Sequence, residues 1–410
     1  MLFRSEQSYA QAYLDEQMEF YEVNGVACVT KNGKVMCQSA RGMAKEAESK
    51  EMTVDTMFPI GSISKQFCAT AILLLQEQGK LSVDENIVKY FPEYTKASDV
   101  TIKNLLTMRS GVPAHTDAIF EEYVISVDNT EEENQQIILD WLYSKELLFK
   151  PDTKHRYSNT NFFLLSLIVE KVSGQSYSDF IKENIFTPLE MNNSGFYEEL
   201  MNHPDLAEHT LESDLYPLDP EFKGLSQGAG DLVSNAKDLD KWLTSLRDCT
   251  LLSEESTAEM ITNYSPDNVE GYGYGVYLTD DGGVWHGGAI DSYASFAITY
   301  PEEGYNVLFF TNVIEIDPTE YEVIVFEIAN DLKNQALCGD VNCDGKVDIM
   351  DATAIQKHLA DITALTDEGY AVADVDGSGV VNVVDATSIQ KYLAGLEKSL
   401  PIDEFITIEK

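Results

Sequence analysis

The most informative stretch of the chain for predicting its fold is Phe58-Pro59-Ile60-Gly61-Ser62-Ile63-Ser64-Lys65-Gln66-Phe67. Residues 67–76 are mostly apolar or small and predict a helix that ends at Gly79. Ser62 and Lys65 are then one helical turn apart, so the lysine amine can reach the serine hydroxyl. Burial and neighbouring positive potential lower the pKa of such a lysine and let it accept a proton. Ser-x-x-Lys alone, however, often occurs by chance.

Two further polar clusters follow this stretch along the chain. One is Tyr157-Ser158-Asn159, and the other, in a β-rich region, is Trp285-His286-Gly287-Gly288-Ala289. The order Ser-x-x-Lys, Tyr-x-Asn, His-x-Gly is far more specific than any one motif. It resembles the serine hydrolases of the class C β-lactamase and penicillin-binding-protein family. The resemblance covers most of residues 8–334.

The resemblance implies a role for each of the polar groups. Ser62 is expected to be the acylated nucleophile, and Lys65 to help deprotonate it. Tyr157, as phenol or phenolate, is expected to pass the proton to the leaving group, with the choice between Lys65 and Tyr157 as main base left open. Asn159 is expected to hold the substrate and Lys65 by hydrogen bonds.

The His-x-Gly segment is expected to form the other wall of the site. His286 stands where β-lactamases of the family usually carry lysine, although some D-peptidases of the family also have histidine. The backbone N–H groups of Ser62 and Ala289 are expected to form an oxyanion hole, worth ~3–4 kcal/mol. Gly287 and Gly288 would let the strand come close to the substrate.

The expected fold class is α/β (α+β), a serine β-lactamase/transpeptidase-like domain. An antiparallel sheet would join the N-terminal hairpin to late strands at residues 274–278, 284–286, 295–300 and 306–312. Helices would cover both faces, with an N-terminal helix in residues 1–20 and a helical subdomain between Ser82 and about Lys241. A helix over residues 320–334 would close the domain.

Cys28 and Cys37 flank Lys31-Asn32-Gly33-Lys34, a strong signal for a two-residue hairpin turn. If Asn32 and Gly33 are the loop residues, regular pairing places Cys28 directly opposite Cys37, where a cross-strand disulfide would fit an exported protein. Two small apolar residues that remain unlinked are an equally good interpretation. Cys338 and Cys343 are a weaker candidate pair.

Two copies of one oxygen-rich loop lie near the C-terminus, 34 residues apart. Oxygen-bearing side chains occupy loop positions 1, 3, 5, 9 and 12, glycine occupies position 6, and position 7 would use its backbone carbonyl. The predicted calcium ligands are Asp340, Asn342, Asp344, Lys346, Asp348 and Asp351 in the first loop, and Asp374, Asp376, Ser378, Val380, Asn382 and Asp385 in the second. The second loop has fewer carboxylates, so we expect it to bind Ca²⁺ more weakly.

An amphipathic helix is predicted after each loop, whereas no comparable helix is predicted before it. This half EF-hand with aspartate at position 12 resembles a type I dockerin, a domain that binds cohesin domains of scaffoldins. The resemblance implies two bound Ca²⁺ ions and a cohesin partner with an apolar patch. The implied cohesin contacts are Ile349, Met350, Gln356, Lys357, Val383, Val384, Gln390 and Lys391.

The predicted organisation is a hydrolase domain at residues 1–334, a small all-α calcium-binding dockerin at residues 338–396 and a tail at residues 397–410. With 70 acidic and 28 basic residues the net charge is −42, which argues against nucleic-acid or anionic-membrane partners. No apolar run has transmembrane length. No signal peptide is visible, but the dockerin implies an extracellular, cellulosome-like complex.

Three functions are compatible with these motifs. The first is a secreted esterase that works through a Ser62 acyl-enzyme, acting on acyl groups of plant polysaccharide. The second keeps the enzyme but gives it D-amino-acid peptides, as in a DD-carboxypeptidase, or β-lactams. The third is a scaffolded binding domain without turnover, against which the intact set of motifs argues.

Overall fold

A seven-stranded antiparallel sheet organises the larger part of the chain, with strands in the order β2-β1-β12-β11-β10-β9-β8. The structure, a computed structural model, describes residues 7–119, 121–208, 222–266, 270–313, 318–333 and 335–408. Its strands are β1 (Gly25–Lys31), β2 (Lys34–Arg41), β3 (Met43–Lys45), β4 (Lys50–Glu51), β5 (Phe58–Pro59), β6 (Gly195–Phe196), β7 (Leu232–Ser234), β8 (Gly271–Tyr272), β9 (Tyr277–Leu278), β10 (Val284–Ile290), β11 (Tyr293–Tyr300), β12 (Tyr305–Thr311), β13 (Gln335–Leu337) and β14 (Phe405–Thr407).

Helices lie on both faces of this sheet, as predicted. They are α1 (Gln7–Phe20), α2 (Ser64–Glu77), α3 (Ile102–Leu106), α4 (Glu131–Tyr143), α5 (Asn159–Ser173), α6 (Tyr177–Ile181), α7 (Tyr197–Leu200), α8 (Ala236–Arg247), α9 (Glu254–Met260), α10 (Pro318–Leu332), α11 (Ile349–Leu359), α12 (Asp367–Ala373) and α13 (Val383–Leu393). Helices α3 to α7 fall within the predicted helical subdomain. Within the described residues, no helix combines the length and apolarity needed to cross a membrane.

The central strands are buried on both faces, which explains their nearly continuous apolar sequences. In β12, Leu308 and Phe310 join the core on the α2 side, whereas Val307 and Phe309 join the core on the α1 and α10 side. The expected α/β class with an antiparallel sheet is therefore confirmed. The predicted closing helix is α10, and the last residue predicted for it, Asn334, lies outside the described residues.

The predicted pairing of Cys28 with Cys37 is wrong. Asn32 and Gly33 form the turn with φ of +50° and +75°, and Lys31 faces Lys34 as expected. A β-bulge between Val29 and Thr30 then shifts the register by one residue. Because a one-residue shift moves a side chain to the other face, Cys28 and Cys37 enter different cores, and both are free thiols.

The weaker candidate pair fails as well, since no disulfide joins Cys338 to Cys343. The C-terminal module differs from the prediction in two further ways. The short helix α12 directly precedes the second loop, so the expectation that no helix precedes either loop is wrong for that loop. The predicted tail contributes strand β14, which pairs with β13 in front of the first loop.

The C-terminal module packs against the tip of the β1–β2 hairpin. Lys31 is 4% exposed, forms an ion pair with Glu368 at 2.8 Å and donates to the backbone carbonyl of Gln335 at 2.7 Å. Lys34 forms an ion pair with Asp403. Leu337 and Phe405, from β13 and β14, join the apolar core beneath α1 and α10. The two parts of the chain thus share a core.

Candidate active site and calcium-binding repeat

Ser62 lies in the 3₁₀ turn Gly61–Ile63, which leads directly into α2. Lys65 is in the first turn of α2, and its Nζ lies 2.8 Å from Oγ of Ser62. The helix therefore begins at Ser64, three residues before the predicted start. This start places the serine at the positive end of the helix dipole, where a developing negative charge is favoured.

Lys65 is completely buried. Its Nζ donates to the backbone carbonyl of Ala229 at 2.7 Å and lies 4.9 Å from the ring centre of Tyr157. Burial lowers the pKa of Lys65 well below 10.5, although the charges of Cys68 and Asp231 oppose the shift. A neutral amine in contact with Ser62 has a lone pair for the serine proton.

The pKa of Tyr157 is shifted upward, in the opposite direction to that of Lys65. Burial and the neighbouring Tyr277 raise the pKa of its phenol well above 10.0, and a hydrogen bond with Ser62 opposes this only partly. The phenol therefore keeps its proton near neutral pH. Tyr157 is suited to donate a proton to a leaving group, and Lys65 to accept one from Ser62.

Asn159, the first residue of α5, does not make its predicted bond to Lys65. Its Nδ2 donates to Oγ1 of Thr116 at 3.2 Å, and Ala229 takes the predicted place of Asn159 beside the lysine. Oδ1 of Asn159 is buried, with no hydrogen-bond partner among the described residues. This acceptor borders a cavity beside Ser62, so it remains available to a substrate N–H or O–H.

Strand β10 passes very close to the turn that carries Ser62. A Cβ built on Gly288 would lie 2.0 Å from the carbonyl oxygen of Ile60, and one on Gly61 would lie 2.9 Å from the backbone nitrogen of Ala289. Only glycine at position 288 permits this approach. The approach brings the backbone nitrogen of Ala289 beside the turn that carries Ser62, which is compatible with the predicted oxyanion hole.

His286 is neutral and buried in β10. Burial, and secondarily the charge of Lys65, lowers its pKa to about 3. Its Nδ1 lies 2.5 Å from the carbonyl oxygen of Gly287, which only accepts hydrogen bonds, so Nδ1 carries the proton. Nε2 is then an acceptor, and it is buried without a partner among the described residues.

Two cavities meet at Ser62, Tyr157 and Ala289. The smaller, about 150 Å³, is bordered by Thr116, Asn159 and Ser226. The larger, about 390 Å³, runs beside β10 and is also lined by Glu270, Tyr277, Trp285, His286, Gly287, Gly288, Ala294, Ser295, Phe296, Tyr321 and Glu322. Sequence reasoning missed Thr116, Ala229, Glu270, Tyr277 and Glu322, because none belongs to a local motif.

The side chains of the two C-terminal loops turn inward. Asp340 accepts from the backbone N–H groups of Asp344 and Gly345, and Asp374 accepts from those of Ser378 and Gly379. The glycines at position 6 have φ of +83° and +85°, as the sharp turn needs.

Carboxylate oxygens of Asp374, Asp376 and Asp385 lie within 4.8 Å of one another. Oxygens bound to one Ca²⁺ at about 2.4 Å cannot be farther apart than this, so the second loop fits the ion. Asp348 and Asn382, at position 9, cap the helices that follow.

All eight residues predicted to contact cohesin are exposed. The apolar members Ile349, Met350, Val383 and Val384 are each at least 50% exposed, at the N-terminal ends of α11 and α13. Large exposed apolar side chains that occur together mark interaction surfaces more often than single ones do. Helices α11 and α13 pack together through a shared core. Each half of the repeat carries one copy of the exposed apolar pair.

The fold and the site define a serine hydrolase with the β-lactamase fold. The Beta-lactamase family model matches residues 10–318, and the chain belongs to this family. The model of the Dockerin type I domain matches residues 338–394, so the C-terminal repeat is a dockerin. Such a domain implies binding of Ca²⁺ and of a cohesin.

Individual relatives agree with this assignment. Penicillin-binding protein 4* of Bacillus subtilis (strain 168) is 27% identical over 349 residues, which cover 80% of this chain and 76% of that protein. The octameric penicillin-binding protein homologue from Pyrococcus abyssi is 29% identical with a TM-score of 0.68, covering 79% of this chain and 77% of that one. D-amino acid amidase from Ochrobactrum anthropi SV3, complexed with L-phenylalanine amide, is 26% identical with a TM-score of 0.65, covering 80% and 99%.

Proposed function

We propose that the protein is an esterase that works through an acyl-enzyme at Ser62. The observation that carries this proposal is the 2.8 Å contact between Ser62 and a completely buried Lys65. Because burial favours the neutral amine, Lys65 can take the serine proton at the moment of attack without help from a metal or cofactor.

The remaining groups divide the later steps between them. Ser62 Oγ attacks the substrate carbonyl, and the backbone N–H groups of Ser62 and Ala289 stabilise the oxyanion. Tyr157 gives its proton to the departing alkoxide and recovers one from Lys65. Water then attacks the acyl-enzyme by the reverse proton path, which releases the acid and restores Ser62.

The charge beside the site favours substrates without a carboxylate. Neutral His286 stands where β-lactamases carry a lysine, and Glu270 and Glu322 border the same cavity. A β-lactam or a peptide with a terminal carboxylate would face these groups, and the described lining of this cavity offers no lysine or arginine to bind the carboxylate. Neutral or ammonium-bearing esters meet no such repulsion.

Hydrolysis of D-amino-acid amides is the second candidate. It is supported by the 26% identity to the D-amino acid amidase across nearly that whole chain. An amide and an ester share the same tetrahedral intermediate, so the described groups serve both. The amide demands more from Tyr157, because an amine leaves only when protonated.

The dockerin would place this activity in an extracellular, cellulosome-like complex. With Ca²⁺ in both loops, the exposed apolar residues at the ends of α11 and α13 would bind a cohesin domain of a scaffoldin. Neighbouring polysaccharide-degrading enzymes would then bring acylated plant polysaccharide to Ser62. The net charge of −42 disfavours nucleic acid and anionic membranes as partners.

Intact mass after exposure to a fluorophosphonate probe tests the proposal. One adduct on the wild-type chain and none on Ser62→Ala, with equal melting temperatures, would support an activated Ser62. Substrate profiling with short-chain esters and D-amino-acid amides would then separate the two candidates. A folded wild-type chain that takes no adduct would leave the scaffolded binding domain as the better interpretation.

A further inference from the structure

The larger cavity beside Ser62 has an unusual distribution of charge. Its described lining includes two carboxylates, Glu270 and Glu322, and contains no lysine or arginine. Lys65 is buried behind Ser62 and does not line it. The walls are otherwise aromatic, with Tyr277, Trp285 and Phe296 among them.

The two carboxylates face the same part of this cavity. Oε1 of Glu322, on α10, lies 3.6 Å from the place where a Cβ on Gly287 would be. Both Glu322 and Glu270 reinforce the effect of burial in raising the pKa of Tyr277. Both carboxylates therefore act on Tyr277, and their negative potentials add in the cavity that Ser62 also lines.

His286 provides a second, independent indication of the ligand. It is 2% exposed, and its Nε2 is a lone-pair acceptor without a partner among the described residues. The cavity therefore combines an unused buried acceptor, two carboxylates and aromatic faces. Each of these groups attracts an ammonium ion. The indole N–H of Trp285 also has no hydrogen-bond partner among the described residues, so it can donate to a carbonyl or hydroxyl of the same ligand.

We propose that this cavity, here called the ammonium cavity and defined by Ser62, Glu270, Tyr277, His286 and Glu322, selects substrates with a positively charged amine near the scissile carbonyl. Esters or amides of amino acids with a free amine, and esters of amino alcohols, are the substrate class. The inference rests on the proposed function, because the cavity matters to turnover only if Ser62 is acylated.

Two matched pairs of esters test the charge selection. D-phenylalanine methyl ester against its N-acetyl derivative places the charge on the acyl part. Choline butyrate against 3,3-dimethylbutyl butyrate places it on the alcohol part. We expect kcat/KM to favour the cation roughly tenfold in at least one pair, because the charge approaches two partly buried carboxylates.

The preference should depend on the two carboxylates. Glu322→Gln and Glu270→Gln should each lower the cation-to-neutral ratio of kcat/KM at least threefold. Glu93→Gln removes the same charge from an exposed site outside the cavity and should leave the ratio unchanged. If the cavity variants fail to fold, the ratio for the wild-type chain should still fall as NaCl rises to about 0.5 M.

Equal rates within both pairs, or ratios that neither cavity variant nor salt alters, would overturn the inference. That result is distinct from failure of the proposed function. If the neutral esters are hydrolysed and Ser62 is labelled, only charge selection is refuted. If no ester is hydrolysed and no adduct forms, the proposed function fails first.

Discussion

Replacing Gly288 by alanine tests how close β10 must come to the turn that carries Ser62. The new Cβ would stand 2.0 Å from the carbonyl oxygen of Ile60 and 2.7 Å from Oγ of Ser295. The hydroxyl can rotate away, but the backbone carbonyl cannot. Since carbon and oxygen in such contacts stay about 3.3 Å apart, strand and turn must separate by roughly 1.3 Å.

A separation of this size would spoil the oxyanion hole, because the amides of Ser62 and Ala289 belong to the two moving parts. Losing one such donor, or misplacing a reacting group by about 1 Å, lowers the rate roughly 10²-fold or more. We therefore expect kcat/KM of Gly288→Ala for a short-chain p-nitrophenyl ester to fall at least 10²-fold. Stability should fall by about 1–3 kcal/mol, as for other overpacked sites.

Gly287→Ala is the matched control on the same strand. Its Cβ would meet Phe296 at 3.4 Å and Glu322 at 3.6 Å, which are ordinary contacts. Its loss of kcat/KM should be at least tenfold smaller. Fluorophosphonate labelling rates and thermal melts of both variants separate damage to the site from unfolding. Wild-type kcat/KM in a folded Gly288→Ala would show that catalysis does not need the close approach of β10 to the Ser62 turn.

Three further predictions follow from burial and charge. The rate should rise with pH through the lowered pKa of Lys65 and then level off, since only the neutral amine accepts the Ser62 proton; a rate that begins to rise only near pH 10 would contradict this. Calorimetry should show two Ca²⁺-binding steps, with the weaker one lost in Asp374→Ala; equal affinities would contradict the carboxylate count. Lys31→Met removes the ion pair with Glu368 and the hydrogen bond to Gln335. It should weaken the packing of the C-terminal module on the hydrolase domain by about 2 kcal/mol and split one melting transition into two. A single unchanged transition would show that the contact contributes little.

Local patterns in the sequence were enough to find much of the site. Ser62 and Lys65 are three residues apart on one helical turn. His286 is followed directly by Gly287 and Gly288, and two glycines inside a strand pattern indicate a close approach of the backbone. Strand β12 likewise has a nearly continuous apolar sequence, which predicts that alternate side chains are buried on both faces of the sheet. Such signals lie within a few residues of one another, so periodicity and motif spacing detect them.

Other features depend on contacts that local patterns do not encode. Ala229 contacts Lys65 through its backbone carbonyl, so the identity of its side chain gives no indication of the contact. Asn159 bonds to Thr116, which lies 43 residues earlier in the 3₁₀ turn His115–Asp117. The bulge beside Val29 lies in the pairing of β1 with β2, whereas β1 pairs with β12 in regular register. It places Cys28 and Cys37 on opposite faces of the sheet, and no turn residue signals it.

The hairpin tip that holds the dockerin also sets how the enzyme would sit on a scaffold. The carbonyl of Asn32 lies 2.3 Å from where a Cβ on Gly345 would be, so the first loop rests directly on the hairpin. A flexible linker allows a catalytic domain to take many orientations relative to its dockerin, whereas a shared core holds the two in one relative orientation. The mouth of the site would then point at a constant angle from the cohesin, and reach across a solid substrate would come from the scaffold's own linkers.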